Sequence, residues 1–128
     1  MFNHVFLGTN DVEKSRSFYD ATMGALGVSG HPLPHGTAYA DANHFAVVVA
    51  TPANGEPATV ANGHTLGLRA ADYASVDAWH AAGLEAGGAD EGAPGFRENS
   101  PGNMYGAYLR DPDGNKICAF TPNTGPKE

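Results

Sequence analysis

The chain has 128 residues, 41% of them hydrophobic, and carries 14 acidic against 7 basic side chains for a net charge of −7. That length suits one domain. The charge excludes general nucleic-acid binding, which needs Lys and Arg against phosphate, and leaves either a cationic ligand or plain solubility. No apolar run approaches the ~18 residues of a membrane span.

Taken in chain order, Phe2 to Gly8 reads as a strand. Asp11 is placed to cap a helix over DVEKSRSFYDATMGALG, with Val12, Phe18, Tyr19, Met23 and Leu26 as its apolar stripe and Gly27 as its stop. His31 and His35 flank prolines in an expected solvent-exposed loop, GHPLPHG. Strands are expected over Thr37–Asp41 and His44–Thr51, joined by a turn at Ala42 and Asn43. The segment from Pro52 to Asn62 has no periodicity and reads as a connection.

The order then starts again. His64 to Ala70 is strand-like, and Asp72 is placed to cap a second helix with Val76, Trp79, His80 and Leu84 on one stripe. Gly87 and Gly88 end it. Strands follow near Met104–Arg110 and Asn115–Thr121, joined by the turn DPDG, and the tail from Asn123 reads as frayed. His4 aligns with His64, Asp11 with Asp72, Phe18 with Trp79 and Gly27 with Gly87, a repeat of about 60 residues. The fold class implied is α+β: two βαβββ modules, residues 1–52 and 63–122, joined by a connection over 53–62 and followed by a tail over 123–128. Their sheets would form a cupped mixed sheet around a central cavity, with helices outside.

Strand alternation groups the side chains that could carry chemistry. Phe2, His4 and Phe6 share one face, His64, Leu66 and Leu68 another, and Lys116, Cys118 and Phe120 a third. If the repeat is a structural two-fold, His4 and His64 oppose each other across the cavity, as a borderline divalent metal would require. Cys118 would be the third ligand if the last strand lies beside that of His64. Its alternatives are a reactive thiol and a small packed core residue. His44 and His80 read as structural. Arg97, in the loop FRENSPG, is placed to meet an anionic substrate group or to be a solvated loop residue. No phosphate-binding glycine loop, nucleophile elbow or paired cysteine motif is present. The N-terminus MFNHVFLGTND lacks a basic start and apolar block, and one cysteine cannot form an internal disulfide, so a cytoplasmic location is expected.

Three stretches, HVFLGTNDVEKSRSFYDATMGALG, GHTLGLRA and YLRDPDGNKICAF, resemble the vicinal oxygen chelate superfamily of glyoxalases, bleomycin resistance proteins and extradiol dioxygenases. The resemblance implies paired βαβββ modules cupped around a divalent metal (zinc, nickel, iron or manganese), a small-molecule ligand and a homodimer. It implies metal ligands at His4 and His64, and places Cys118 where a carboxylate ligand usually follows the DPDG turn. Tyr108 matches a pocket tyrosine of the dioxygenases, with strand packing as its alternative role. Phe6, on the face of His4, Phe120, on the face of Cys118, and the loop residue Arg97 are the expected substrate contacts. The chain departs from the glyoxalase I pattern twice: at Cys118, and in the strand HFAVVVAT, which has no carboxylate between Phe45 and Thr51. The expected function is therefore metal-assisted lyase or isomerase chemistry on adjacent substrate oxygens, or a dioxygenase-like step, rather than efficient glyoxalase I activity. The alternative is metal-free sequestration of a small molecule.

Overall fold

The structure is a computed structural model and describes residues 1–128. Module one contains strand β1 (His4–Gly8), helix α1 (Val12–Ala25) and strands β2 (Gly30–Leu33), β3 (Gly36–Ala40) and β4 (Ala46–Ala50). Module two contains β5 (Leu66–Arg69), α2 (Tyr73–Glu85), β6 (Ala89–Phe96), β7 (Tyr105–Arg110) and β8 (Lys116–Thr121). Each module forms a four-stranded mixed sheet, ordered β1-β4-β3-β2 and β5-β8-β7-β6. In both, the first strand runs parallel to the last and the remaining pairs are antiparallel. The expected α+β fold of two paired modules is the one observed.

Local chemistry sets the helix ends alike in both modules. Asp11 accepts a hydrogen bond from Lys14 N (3.1 Å) and Asp72 from Ser75 N (2.8 Å), each satisfying a free N–H of the first turn. Beyond the C-terminal ends, Gly27 and Gly87 take positive φ of 79° and 98°, which a Cβ would disfavour. The stripe of α1 buries Ser15, Phe18, Tyr19, Thr22 and Met23. That of α2 buries Val76, Trp79, His80 and Gly83 but leaves Leu84 43% exposed, correcting its expected place in the core. Gly83, one position earlier, faces the core instead: Leu109 of β7 and Phe18 of α1 press against it, where a side chain would not fit. His80 is structural as expected, with Nε2 2.8 Å from Asp90.

The helices α1 and α2 pack on each other, and one core runs through both modules, from Leu7, Tyr19 and Tyr39 to Trp79, Leu109 and Ile117. The DPDG turn does more than reverse the chain. The buried Asp111 carboxylate accepts from Tyr19 Oη of α1 (2.6 Å), Asn115 N (2.8 Å), Asn115 Nδ2 (2.9 Å) and Asp113 N (3.0 Å). Asp113 in turn accepts from Asn10 N and Ser15 Oγ of module one. The turn is thus a polar joint between the two modules.

Two strands were not legible in the sequence. The loop GHPLPHG contains β2, and no strand was expected where β6 lies. Both are edge strands, where Pro32 and Pro94 are tolerated, and β6 carries two register irregularities around Gly92 and Gly95. His44 lies in the turn before β4, with φ of 65°, instead of opening that strand. The tail is held, not frayed: Tyr73 Oη donates to Gly125 O (2.6 Å), and Lys127 pairs with Asp77 (2.6 Å). No helix is long and apolar enough to cross a membrane.

Candidate functional site

Each sheet turns one face to the helices and leaves the other open. On sheet one the core side carries Leu7, Val47, Val49, Thr37 and Tyr39, all buried. Alternation and register then put His4, Phe6, Ala46, Val48, Ala38 and His31 on the open side. His4 and Phe6 are exposed there, as the strand pattern implied. Phe6 also borders a shallow pocket with Pro52, Pro57 and Ala58 of the connection.

Between the edge strands β1 and β5 lies a cavity of about 540 Å³. Met23 of α1, Leu26 just after it, Val5, Tyr39, Leu66 and Leu68 give it largely apolar walls. His4 and His64 both line it, and so does Arg69. His64 stands two residues ahead of β5. Leu66 and Leu68, expected to share its face, line the cavity with it and pack on the margin of the core. The imidazole of His4 is oriented by its neighbour, with Nδ1 2.9 Å from Asn3 Oδ1; donation there leaves Nε2 with a free lone pair. No group of three or more His, Cys, Asp or Glu side chains could hold a metal ion within the chain.

Cys118 does not line that cavity. The last strand does lie beside β5, but the register sets Cys118 opposite Gly67, three residues beyond His64 and thus about 10 Å along the strand. The Sγ atom occupies the space over Gly67, 3.5 Å from where a Cβ would stand. Burial pushes the Cys118 thiol up to about 11, partly countered by the positive charge of Lys116, so it is protonated at neutral pH.

The open face of sheet two brings most of the other expected residues together. Tyr108 is the cross-strand partner of Cys118, and its ring meets Phe120 edge to face with centroids 5.6 Å apart. Phe120 lies directly over Gly106, where a Cβ would come within 2.6 Å of the ring. Arg97, just after β6, donates from Nη2 to Ala93 O (2.6 Å) and sets its guanidinium 5.7 Å from the Tyr108 ring centre. Lys116 Nζ lies 5.1 Å from the same centre. Arg69, paired in register with Phe120, belongs to this face too. Sequence reasoning gave no role to Lys116 and Arg69. Strand alternation had already set Lys116 on the face of Cys118 and Phe120, and the same rule applied to β5 would have added Arg69, two residues from Gly67.

The Glyoxalase/Bleomycin resistance protein/Dioxygenase superfamily model matches residues 1–119. A glyoxalase/bleomycin resistance protein from Albidiferax ferrireducens T118 is 46% identical, with a TM-score of 0.88 over 96% of this chain and 99% of that one. Two more distant structures agree in fold. A glyoxalase-related enzyme from Fulvimarina pelagi (19% identity, TM-score 0.75) covers 100% of this chain and 92% of its own. Lactoylglutathione lyase from Agrobacterium tumefaciens (21% identity, TM-score 0.64) covers 94% and 92%. No curated protein matches the chain.

Proposed function

Because the chain belongs to the glyoxalase/bleomycin resistance protein/dioxygenase superfamily, we propose that it is a small-molecule enzyme whose His4 and His64 hold a divalent metal against a substrate with adjacent oxygens. The observation that carries this reading is that the two histidines, one from the start of each module, line one cavity. Zinc, nickel, iron and manganese all accept imidazole nitrogen, and the bond of His4 to Asn3 orients the ring as a ligand's outer partner would. Two protein ligands leave the remaining positions for substrate oxygens. When bound, the metal would supply Lewis-acid polarisation of those oxygens.

The chain's own residues take the other parts. The largely apolar walls would limit water around the metal position, and Phe6 and Phe120, on the open sheet faces outside the cavity, would offer contact to an apolar substrate body that extends beyond it. Tyr108 positions a substrate oxygen by hydrogen bonding, and Arg97 supplies charge. The strand β4 offers Val47, Val48 and Val49 and no carboxylate, and the protonated Cys118 is a poor base. A lyase or isomerase step that needs no strong protein base therefore suits the site better than glyoxalase I chemistry.

A second reading, metal-free binding of a small molecule, is favoured because no three His, Cys, Asp or Glu side chains are grouped to hold a metal ion; Asp41 lines the same cavity, but its Oδ1 accepts from Asn43 N and Phe45 N. A homodimer fits either reading. The sheet edges β1 and β5 are unpaired, and Phe2 and Phe6 near the first are 71% and 49% exposed. The single buried thiol suits a reducing cytoplasm.

Elemental analysis and light scattering on one preparation test these points. Stoichiometric metal in the wild type, lost in the His4→Ala/His64→Ala double variant, and a mass of two chains are expected. Metal retained in the double variant would refute the ligand assignment. A metal-free wild type after supplementation would leave the binding-protein reading, and a monomeric mass would refute the dimer.

A further inference from the structure

The chain is acidic overall, yet its cations are unevenly placed. Of its seven Lys and Arg residues, Arg16, Arg110 and Lys127 pair with Glu13, Glu91 and Asp77. Lys14 stands exposed on α1. The other three, Arg69, Arg97 and Lys116, belong to the open face of sheet two, and none has a carboxylate within salt-bridge distance. Two of them crowd one ring. The Arg97 guanidinium and the Lys116 ammonium lie 5.7 and 5.1 Å from the centre of Tyr108, one reaching it from the β6 side and the other from β8. Beside them Phe120 is held flat over Gly106 and against the edge of Tyr108, leaving an apolar surface next to the charges. Two acids of β6 have partners off this face, Glu91 with Arg110 and Asp90 with His80, although Asp90 also feels the charge of Arg97.

We infer that the open face of sheet two binds a small organic anion, its carboxylate or phosphate group held by Arg97, Lys116 and Arg69 and its apolar body resting on Phe120 and Tyr108. Cationic side chains that flank one ring with no salt-bridge partner give the face a positive potential that an anion would meet. A guanidinium and an ammonium each offer a carboxylate or phosphate oxygen charge-assisted hydrogen bonds. The local field thus reverses what the net charge of −7 suggests about the ligand. Arg69 also borders the cavity of His4 and His64, so an anion held here would extend toward that cavity. The inference rests on the proposal that this face belongs to the substrate site, but not on a bound metal.

The test uses chelator-treated full-length protein and four probes: benzoate, phenyl phosphate, benzyl alcohol and benzylammonium. Binding is read by titration calorimetry and by the shift in melting temperature. The two anions should bind, more weakly as salt rises, and the alcohol and the amine should not. A preference between benzoate and phenyl phosphate identifies the anionic group. Arg97→Gln and Lys116→Gln should each weaken anion binding by about tenfold, as expected for one lost charge-assisted contact. Arg69→Gln should weaken it as well, whereas Lys14→Gln should bind as the wild type does. Equal binding of benzyl alcohol, wild-type affinity in the Arg97→Gln/Lys116→Gln double variant, or no anion binding at millimolar concentration would each overturn the inference. Because the metal has been removed, none of these results depends on whether His4 and His64 hold one.

Discussion

Replacing Tyr19 by Phe removes one oxygen atom from the joint between the modules. Tyr19 is fully buried, and its hydroxyl donates at 2.6 Å to Asp111 Oδ2. That oxygen would keep only Asn115 Nδ2, at 2.9 Å, in a carboxylate that is 4% exposed. Water cannot readily replace the lost donor, so the loss should approach that of a charge-assisted bond, about 1.5–3 kcal/mol. For a domain of this length the unfolding entropy is roughly 0.27 kcal/mol/K, so the melting temperature should fall by about 6–11 °C. Tyr39→Phe is the internal control. Its hydroxyl donates at 2.8 Å to Asp20, which is exposed and lies in the same module, so water can take over and the loss should stay below about 1 kcal/mol. Urea denaturation of both variants at neutral pH measures the difference. Equal losses, or a Tyr19→Phe loss below about 0.5 kcal/mol, would refute the view that the buried Asp111 carboxylate joins the modules.

Cys118 sets a pH dependence of known sign. Its folded thiol is raised to about 11 from the ordinary 9.0, so its contribution to stability is complete below pH 9 and is lost as the pH climbs toward 11. Urea midpoints of Cys118→Ala should therefore decline less steeply over that interval than those of the wild type. Parallel declines would refute the assignment, because the raised hydroxyls of Tyr19, Tyr39 and Tyr105 are common to both proteins. Gly106→Ala places a methyl group within 2.6 Å of the Phe120 ring, and overpacking of this kind costs about 1–3 kcal/mol. Thermal unfolding should show that loss, and calorimetry should show weaker anion binding; an unchanged protein would mean that the ring is free to move.

The periodic parts of the chain were legible as sequence. Both helices, their Asp caps and their glycine stops follow from local chemistry, since a free N–H at a helix start and a positive φ at its end each favour particular residue types. The repeat that aligns Asp11 with Asp72 and Gly27 with Gly87 follows from the same local rules, and with it the paired-module fold. The edge strands β2 and β6 were not legible, because Gly and Pro interrupt their alternation and only pairing with β3 and β7 makes them strands. The site divided in the same way. The sequence by itself marked His4, His64, Tyr108, Cys118 and Phe120, but register decided which of them meet. It set Cys118 over Gly67, outside the lining of the cavity of the two histidines, and it put Arg69 of β5, Lys116 of β8 and Arg97 just after β6 on the face of Tyr108 and Phe120. Helix caps and turns depend on residues a few positions apart, which a sequence displays directly. Distances between side chains on different strands depend on how the strands pair, and that is decided only when both modules close on their shared core.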